Sequence, residues 1–291
     1  MSRRATLIAF LGIVVIGGSN FVAVKFSNFE LPPFWGAALR FSAAALLFFL
    51  VVAFRRIQLP RGRALLGAAI YGVLSFGASY AFGYYALVSL KAGLASVVLA
   101  LVPLTTLFLA AAQGQERLRP RGLVGGLIAI AGTGLIFNEQ LTLAIPIFSL
   151  LALLGANLSV GETSVVLKHF PKSNPYGTNA VAMIIGSAML LMLSAAAGES
   201  RVIPGRPATL AALTYLVLPG SVLLFVLYLF VLSRWTASET NYGFVLIPLV
   251  TVLVASSLAG EVVTLTFIAG SALVLVGVYV GALSGLRNPN T

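Results

Sequence analysis

Apolar residues in this chain come in long runs separated by short polar gaps. Ten runs stand out, at residues 6–26, 33–54, 64–90, 93–113, 122–137, 141–167, 177–197, 209–232, 238–258 and 262–283. A helix needs about 20 apolar residues to cross a hydrocarbon core about 30 Å thick, and the runs are close to that length. They lack the alternation of period two that a membrane-spanning strand requires, which excludes a β-barrel reading. The pattern predicts an all-α integral membrane fold of ten transmembrane helices. The first run follows Met1-Ser2-Arg3-Arg4 in the manner of a signal peptide. It runs on past the usual signal length, carries Asn20 and Lys25, and has no clear small-residue cleavage site, so it reads as a retained first helix.

The two halves of the chain repeat one another. A shift of 145 residues lays Leu101-Val102-Pro103-Leu104 on Leu246-Ile247-Pro248-Leu249, Glu116 on Glu261, Gly125 on Gly270 and Gly132 on Gly277. Near the start of each half, Gly18-Ser19-Asn20 answers Gly155-Ala156-Asn157. Five helices per half is an odd number, so the second copy enters the membrane upside down. The expected organisation is two inverted five-helix repeats, residues 1–140 and 141–291, forming one transport domain.

Composition agrees with this picture. The 291 residues are 59% hydrophobic and 9% charged, against roughly 25% charged in soluble domains. The formal net charge of +11 would suggest nucleic acid in a soluble protein, but the basic residues fill the gaps between apolar runs. With the N-terminus inside, 13 of the 18 Lys and Arg fall in inner segments. Both termini are therefore expected in the cytoplasm, with the basic loops facing anionic lipid and no nucleic acid partner. There is no Cys and no Asp, and His169 is the sole histidine. Disulfides, metal centres and the usual catalytic sets have no residues to build them, so no cofactor and no enzymatic activity are expected.

Polar and aromatic residues inside the apolar runs mark a candidate interior. Asn20 and Asn157 are amides that need partners at depth, either an interhelical hydrogen bond or a bound substrate. Phe76, Tyr80 and Tyr84 share one face of the third helix, and Phe225 and Tyr228 lie on the related eighth, as rings suited to wall a small organic ligand. Tyr84, with Tyr85, fits an interfacial aromatic belt equally well. Pro103 and Pro248 occupy matched positions and read as hinges or as packing kinks. The glycine pairs Gly122/Gly126 and Gly277/Gly281 read as helix packing. Among the charges, Lys25 lies near a helix end and can snorkel, and Glu239 suits a helix start. Arg40 and Glu162 lie deeper. Glu162 is the candidate for proton coupling, with an ion pair to an inner-end base or simple exposure as the duller readings.

The duplicated five-helix unit, the Gly17-Gly18-Ser19-Asn20-Phe21-Val22-Ala23-Val24-Lys25 stretch and the Leu101-Val102-Pro103-Leu104 segment followed by Glu116 resemble the drug/metabolite transporter superfamily. Within it the chain is similar to the ten-helix EamA-type exporters of bacterial inner membranes. The resemblance covers essentially the whole chain. It implies export of amino acids or related metabolites through a central cavity lined by the first, third, fourth, sixth, eighth and ninth helices. A nucleotide-sugar or drug-type carrier, and a passive channel, are the alternatives.

Overall fold

The computed structural model describes residues 3–115, 120–142, 146–232, 234 and 237–283, and among them only helices and turns occur. Ten helices follow the ten apolar runs. The first, second, fifth, sixth, seventh and ninth are unbroken: Arg3–Ser27, Pro33–Phe54, Pro120–Thr142, Ile147–Val166, Pro175–Ala196 and Ala237–Leu258. The third runs as Arg63–Tyr71, a π-helical segment Gly72–Ser79 and Tyr80–Ser89; the fourth as Ala92–Leu99 and Val102–Ala112. The eighth runs as Pro207–Val217, π-helical Leu218–Leu223 and Leu224–Leu232, and the tenth as Leu265–Val278 with a final π turn Tyr279–Leu283. Local chemistry sets several starts. Prolines open the second, seventh and eighth helices, where the missing N–H costs nothing. Asn174 and Thr264 accept from the backbone N–H of Tyr176 and Phe267 as N-caps.

Among the described residues seven helices are long and apolar enough to cross a membrane, namely the first four, the sixth, the seventh and the eighth. The fifth, ninth and tenth contribute shorter apolar stretches, Pro120–Ile136, Gly243–Leu258 and Leu265–Gly281. Large apolar side chains such as Leu50, Leu127, Ile130, Leu151 and Leu253 point outward. Such a surface is stable only against lipid.

The halves pair with each other. The second helix packs along the seventh and the fifth along the tenth; the first packs against the eighth and ninth, and the sixth against the third and fourth. Adding five to each helix number, cyclically, reproduces the same set of pairs, so the halves are related by an approximate two-fold axis. The fifth and tenth helices meet through glycine. A Cβ on Gly125 would lie 2.4 Å from Gly281 Cα, and one on Gly277 2.6 Å from the Gly125 carbonyl oxygen. Gly132 meets the Gly270 backbone in the same way, at 2.6 Å. The seam is therefore glycine on both sides, although its members are Gly125, Gly132, Gly270, Gly277 and Gly281. Of the expected pair Gly122/Gly126, Gly126 instead faces the Phe108 ring.

The two ends of the bundle differ in charge. The gaps at one end hold Arg55, Arg56, Arg61, Lys168 and Lys172; at the other, three carboxylates cross between the halves. Glu30 accepts from Gly205 N and Arg206 N (2.8 and 3.1 Å) at the start of the eighth helix. Glu199 accepts from Phe34 N and Trp35 N (3.1 and 2.8 Å) at the start of the second. Glu261 accepts from Ala92 N and Gly93 N (2.8 and 3.2 Å) at the start of the fourth, and pairs with Lys25 Nζ at 2.8 Å. Each joins a loop of one half to a helix N-terminus of the other, where free N–H groups and the helix dipole favour an anion. Lys25 therefore does not snorkel to water; its ammonium is held by Glu261. Hydrogen bonding, the Gly205 N–H first, holds the Glu30 carboxyl below its ordinary value. That contact persists above the usual carboxylate range and is lost as pH falls through the lowered value.

Candidate functional site

Where the halves meet at mid-depth, the chain buries a full positive charge. Arg40 lies seven residues into the second helix, about 10 Å along its axis, and is 0% exposed. Its Nε donates to Ser221 Oγ at 2.9 Å and its Nη2 to the Gly220 carbonyl oxygen at 2.9 Å; the Tyr84 hydroxyl lies 3.5 Å from Nη1. Ser221 passes the interaction on by donating to the Leu216 carbonyl at 2.9 Å. Gly220 and Ser221 belong to the π-helical segment of the eighth helix. Pro219 has no N–H to give, and the wider turn leaves the Gly220 carbonyl available to side chains.

Asn20, from the first helix, donates through Nδ2 to the same Gly220 oxygen at 3.1 Å. The amide orientation follows, because the reverse would set two acceptors against each other. Asn20 Oδ1 is left buried without a donor.

Aromatic rings close over the guanidinium. Arg40 Cζ stands 4.9 Å from the Phe41 ring centre and 5.1 Å from that of Tyr80, cation–π geometry for both. Phe76 and Tyr80 are parallel with centres 6.2 Å apart, Phe41 lies 4.5 Å from Tyr80, and Phe225 reaches Phe76 at 5.4 Å. Phe76 and Tyr84 are fully buried, whereas Tyr228 is 37% exposed. Of the five rings singled out from sequence, the structure thus brings Phe76, Tyr80, Tyr84 and Phe225 into one cluster. Phe41 joins it without having been expected.

Asn157 sits away from Arg40. Its Nδ2 donates to the Val98 carbonyl at 2.7 Å and its Oδ1 accepts from Thr105, so its hydrogen bonds fasten the sixth helix to the fourth. This is the interhelical role weighed for it from sequence. Asn20 and Asn157 match in the repeat but differ here, since one amide is satisfied and the other only half so.

The prolines also differ from expectation. The fourth helix breaks at residues 100–101, ahead of Pro103, which lies in the first turn of the new segment; Pro248 lies inside an unbroken helix. A missing N–H is harmless at a helix start and is absorbed by neighbours in a packed interior. The matched irregularity falls on the third and eighth helices. Adding the repeat offset of 145 to 72–79 gives 217–224, which contains the second π segment at 218–223. Clustered glycines mark the first (Gly72, Gly77) and Pro219-Gly220 the second, a signal visible in the sequence.

Glu162 lies on the sixth helix near its basic end, half-buried, with both oxygens 2.9 Å from Gln113 Nε2. Its described partner is a neutral amide. Glu239 and Glu116 lie outside the described residues and side chains. His169 is exposed, within a 3-10 turn.

A bundle with apolar outer faces, two pseudo-symmetric halves and polar groups gathered between them has the build of a membrane transport protein. The EamA-like transporter family model matches the chain twice, over residues 4–138 and 147–282, and the chain belongs to that family. It is similar to a protein named as a probable amino-acid metabolite efflux pump from Salmonella typhimurium, 28% identical over 297 residues that cover 96% of this chain and 95% of that one. The Escherichia coli protein of the same name is 27% identical over 299 residues, 99% and 97% of the two chains. An uncharacterized transporter of Archaeoglobus fulgidus is 28% identical over 275 residues, 92% and 95%. A solved crystal structure, 17% identical, superposes with a TM-score of 0.68 over 99% of this chain and 100% of that chain, a likeness of fold alone. The protein is a multi-pass membrane transporter and not an enzyme.

Proposed function

We propose that this transporter exports amino acids or closely related metabolites across the cytoplasmic membrane by alternating access, with all ten helices spanning. The observation that carries the reading is the polar and aromatic cluster of Asn20, Arg40, Tyr80 and Tyr84, held between halves that pair two-fold. A small polar solute with an apolar side chain suits such a site, and two relatives are named as amino-acid metabolite efflux pumps. The aromatic residues Phe76, Tyr80, Tyr84, Phe225 and Tyr228 wall the route, and the π segments with the Pro103 and Pro248 regions let the halves rock.

Orientation follows from charge, with the basic end cytoplasmic and the carboxylate end outside. Single cysteines at Arg61 and Lys172 in this cysteine-free chain are expected to react with an impermeant maleimide only from the cytoplasmic side, and one at Arg201 only from outside. Labelling in the opposite sense inverts the topology.

Transport is tested in liposomes with labelled amino acids, with and without a pH gradient. Glu162 is the coupling residue in this reading, since it is the one described acid between the ends and its carboxylate faces only an amide. Glu162→Gln is expected to keep downhill exchange and to lose the pH-driven component by at least tenfold. Intact pH-driven flux in the variant removes the assignment, and absence of any such flux in the wild type makes the protein a uniporter.

A further inference from the structure

Arg40 brings a charge into the bundle, and among the described residues no opposite charge meets it. A guanidinium cannot shed its charge by losing a proton, and a lone cation at membrane depth is costly. Its three contacts are a serine hydroxyl, a backbone carbonyl and a phenol, all neutral, and among the described residues no carboxylate lies within ion-pair distance of it. Lys25 has a carboxylate at 2.8 Å, whereas among the described residues the more deeply buried Arg40 has none. Beside it, Asn20 Oδ1 is a buried acceptor with no donor. The two groups meet on one atom, the Gly220 carbonyl oxygen, 2.9 Å from the guanidinium and 3.1 Å from the Asn20 amide.

We infer that Arg40 and Asn20 together receive the head group of an α-amino acid, the guanidinium binding its carboxylate and Asn20 Oδ1 accepting from its ammonium. The assignment deepens the export reading above and rests on it. An anion and an N–H donor carried on one carbon match a cation and an acceptor whose residues converge on one oxygen. The planar fork of arginine suits a carboxylate, and a charged hydrogen bond is roughly twice as strong as the neutral ones that it replaces. The rings of Phe41, Tyr80 and Phe76 stand beside the guanidinium, positioned to cover the apolar part of the solute. Taking up the ligand displaces the Gly220 carbonyl, which lies in a π-helical segment. Substrate binding is thereby linked to a shift of the eighth helix, which packs against the first helix and also touches the second.

The test uses purified protein in liposomes and three probe sets: L-phenylalanine, L-leucine and L-threonine, each with its amide and its deamino acid, as competitors in counterflow. For a transported probe the wild type is expected to prefer the amino acid over its amide, and over its deamino acid, by at least tenfold each. Arg40→Gln is expected to bring the acid-to-amide ratio near one while the preference for the ammonium survives. Asn20→Leu is expected to do the converse. If Arg40→Gln does not fold, the wild-type ratios decide. Amides accepted as well as acids, or an acid-to-amide ratio unchanged in Arg40→Gln, overturn the arginine assignment and leave amino-acid export standing. Preference for the deamino acids with no uptake of amino acids removes the export reading and the Asn20 role, and supports Arg40 as a carboxylate site. Rejection of every carboxylate overturns both.

Discussion

Replacing Glu261 with glutamine is expected to open the carboxylate-bearing end of the bundle, the outer end in the orientation proposed above. One carboxylate there accepts from Lys25 Nζ, Ala92 N and Gly93 N at 2.8, 2.8 and 3.2 Å, and so ties the loop after the ninth helix to the first and fourth. All three contacts cross between the halves. Glutamine preserves the volume but offers one acceptor in place of two and no charge to Lys25. Breaking a buried pair by removing one partner costs about 3–5 kcal/mol; Lys25 is 24% exposed, so about 2 kcal/mol is the better expectation. That shifts a two-state equilibrium roughly 30-fold. A cysteine at Ser96, which is wholly buried beneath the latch, reports the change. Impermeant maleimide applied from outside is expected to label it at least tenfold faster in the Glu261→Gln background. Equal rates would mean that the outer end is held by something other than this carboxylate.

Gly125→Leu is expected to cost more stability than any exposed substitution in the fifth helix. A Cβ at that position would lie 2.4 Å from Gly281 N and Cα and 2.5 Å from the Gly277 carbonyl oxygen, all backbone atoms that cannot turn aside. In lipid no hydrophobic gain draws helices together, so close packing is what holds the fifth to the tenth. The expected loss is about 3 kcal/mol or more by the measure of overpacked cores, seen as a fall of roughly 10 °C in the midpoint of a detergent thermostability assay. Gly134→Leu is the control. A Cβ there meets nothing within 4 Å, and its midpoint is expected to stay within about 2 °C of wild type. Leucine is the better helix former, so propensity works against a loss at either site; similar losses at both glycines would show that the seam does not set the cost.

The glycine seam shows how far local pattern reaches. Small residues spaced along the fifth and tenth runs announce that these helices pack closely, but Gly125 and Gly132 make the tightest approaches to the partner, while Gly126 faces Phe108. Helical spacing names several candidate faces, and only the rotation of each helix in the bundle selects one. The prolines teach the same lesson. Pro103 and Pro248 align in the repeat, yet one begins a helical segment and the other is carried within a helix, because the neighbours that absorb a missing N–H differ between the two sites.

Hydropathy along the chain by itself determined the all-helical membrane fold, because a bilayer leaves an apolar segment few other ways to satisfy its backbone, and the residues that match at a shift of 145 marked the duplication. The scarcity of Cys, His and Asp likewise determined which chemistries were out of reach. Only the tertiary structure decided that Arg40 of the second helix and Asn20 of the first converge on Gly220 of the eighth, and that Glu30, Glu199 and Glu261 reach across to helix starts in the other half. Those contacts join residues 164 to 200 positions apart, so no local propensity encodes them. They arise from packing, where each buried polar group must find its partner in another helix or wait for a ligand to supply one.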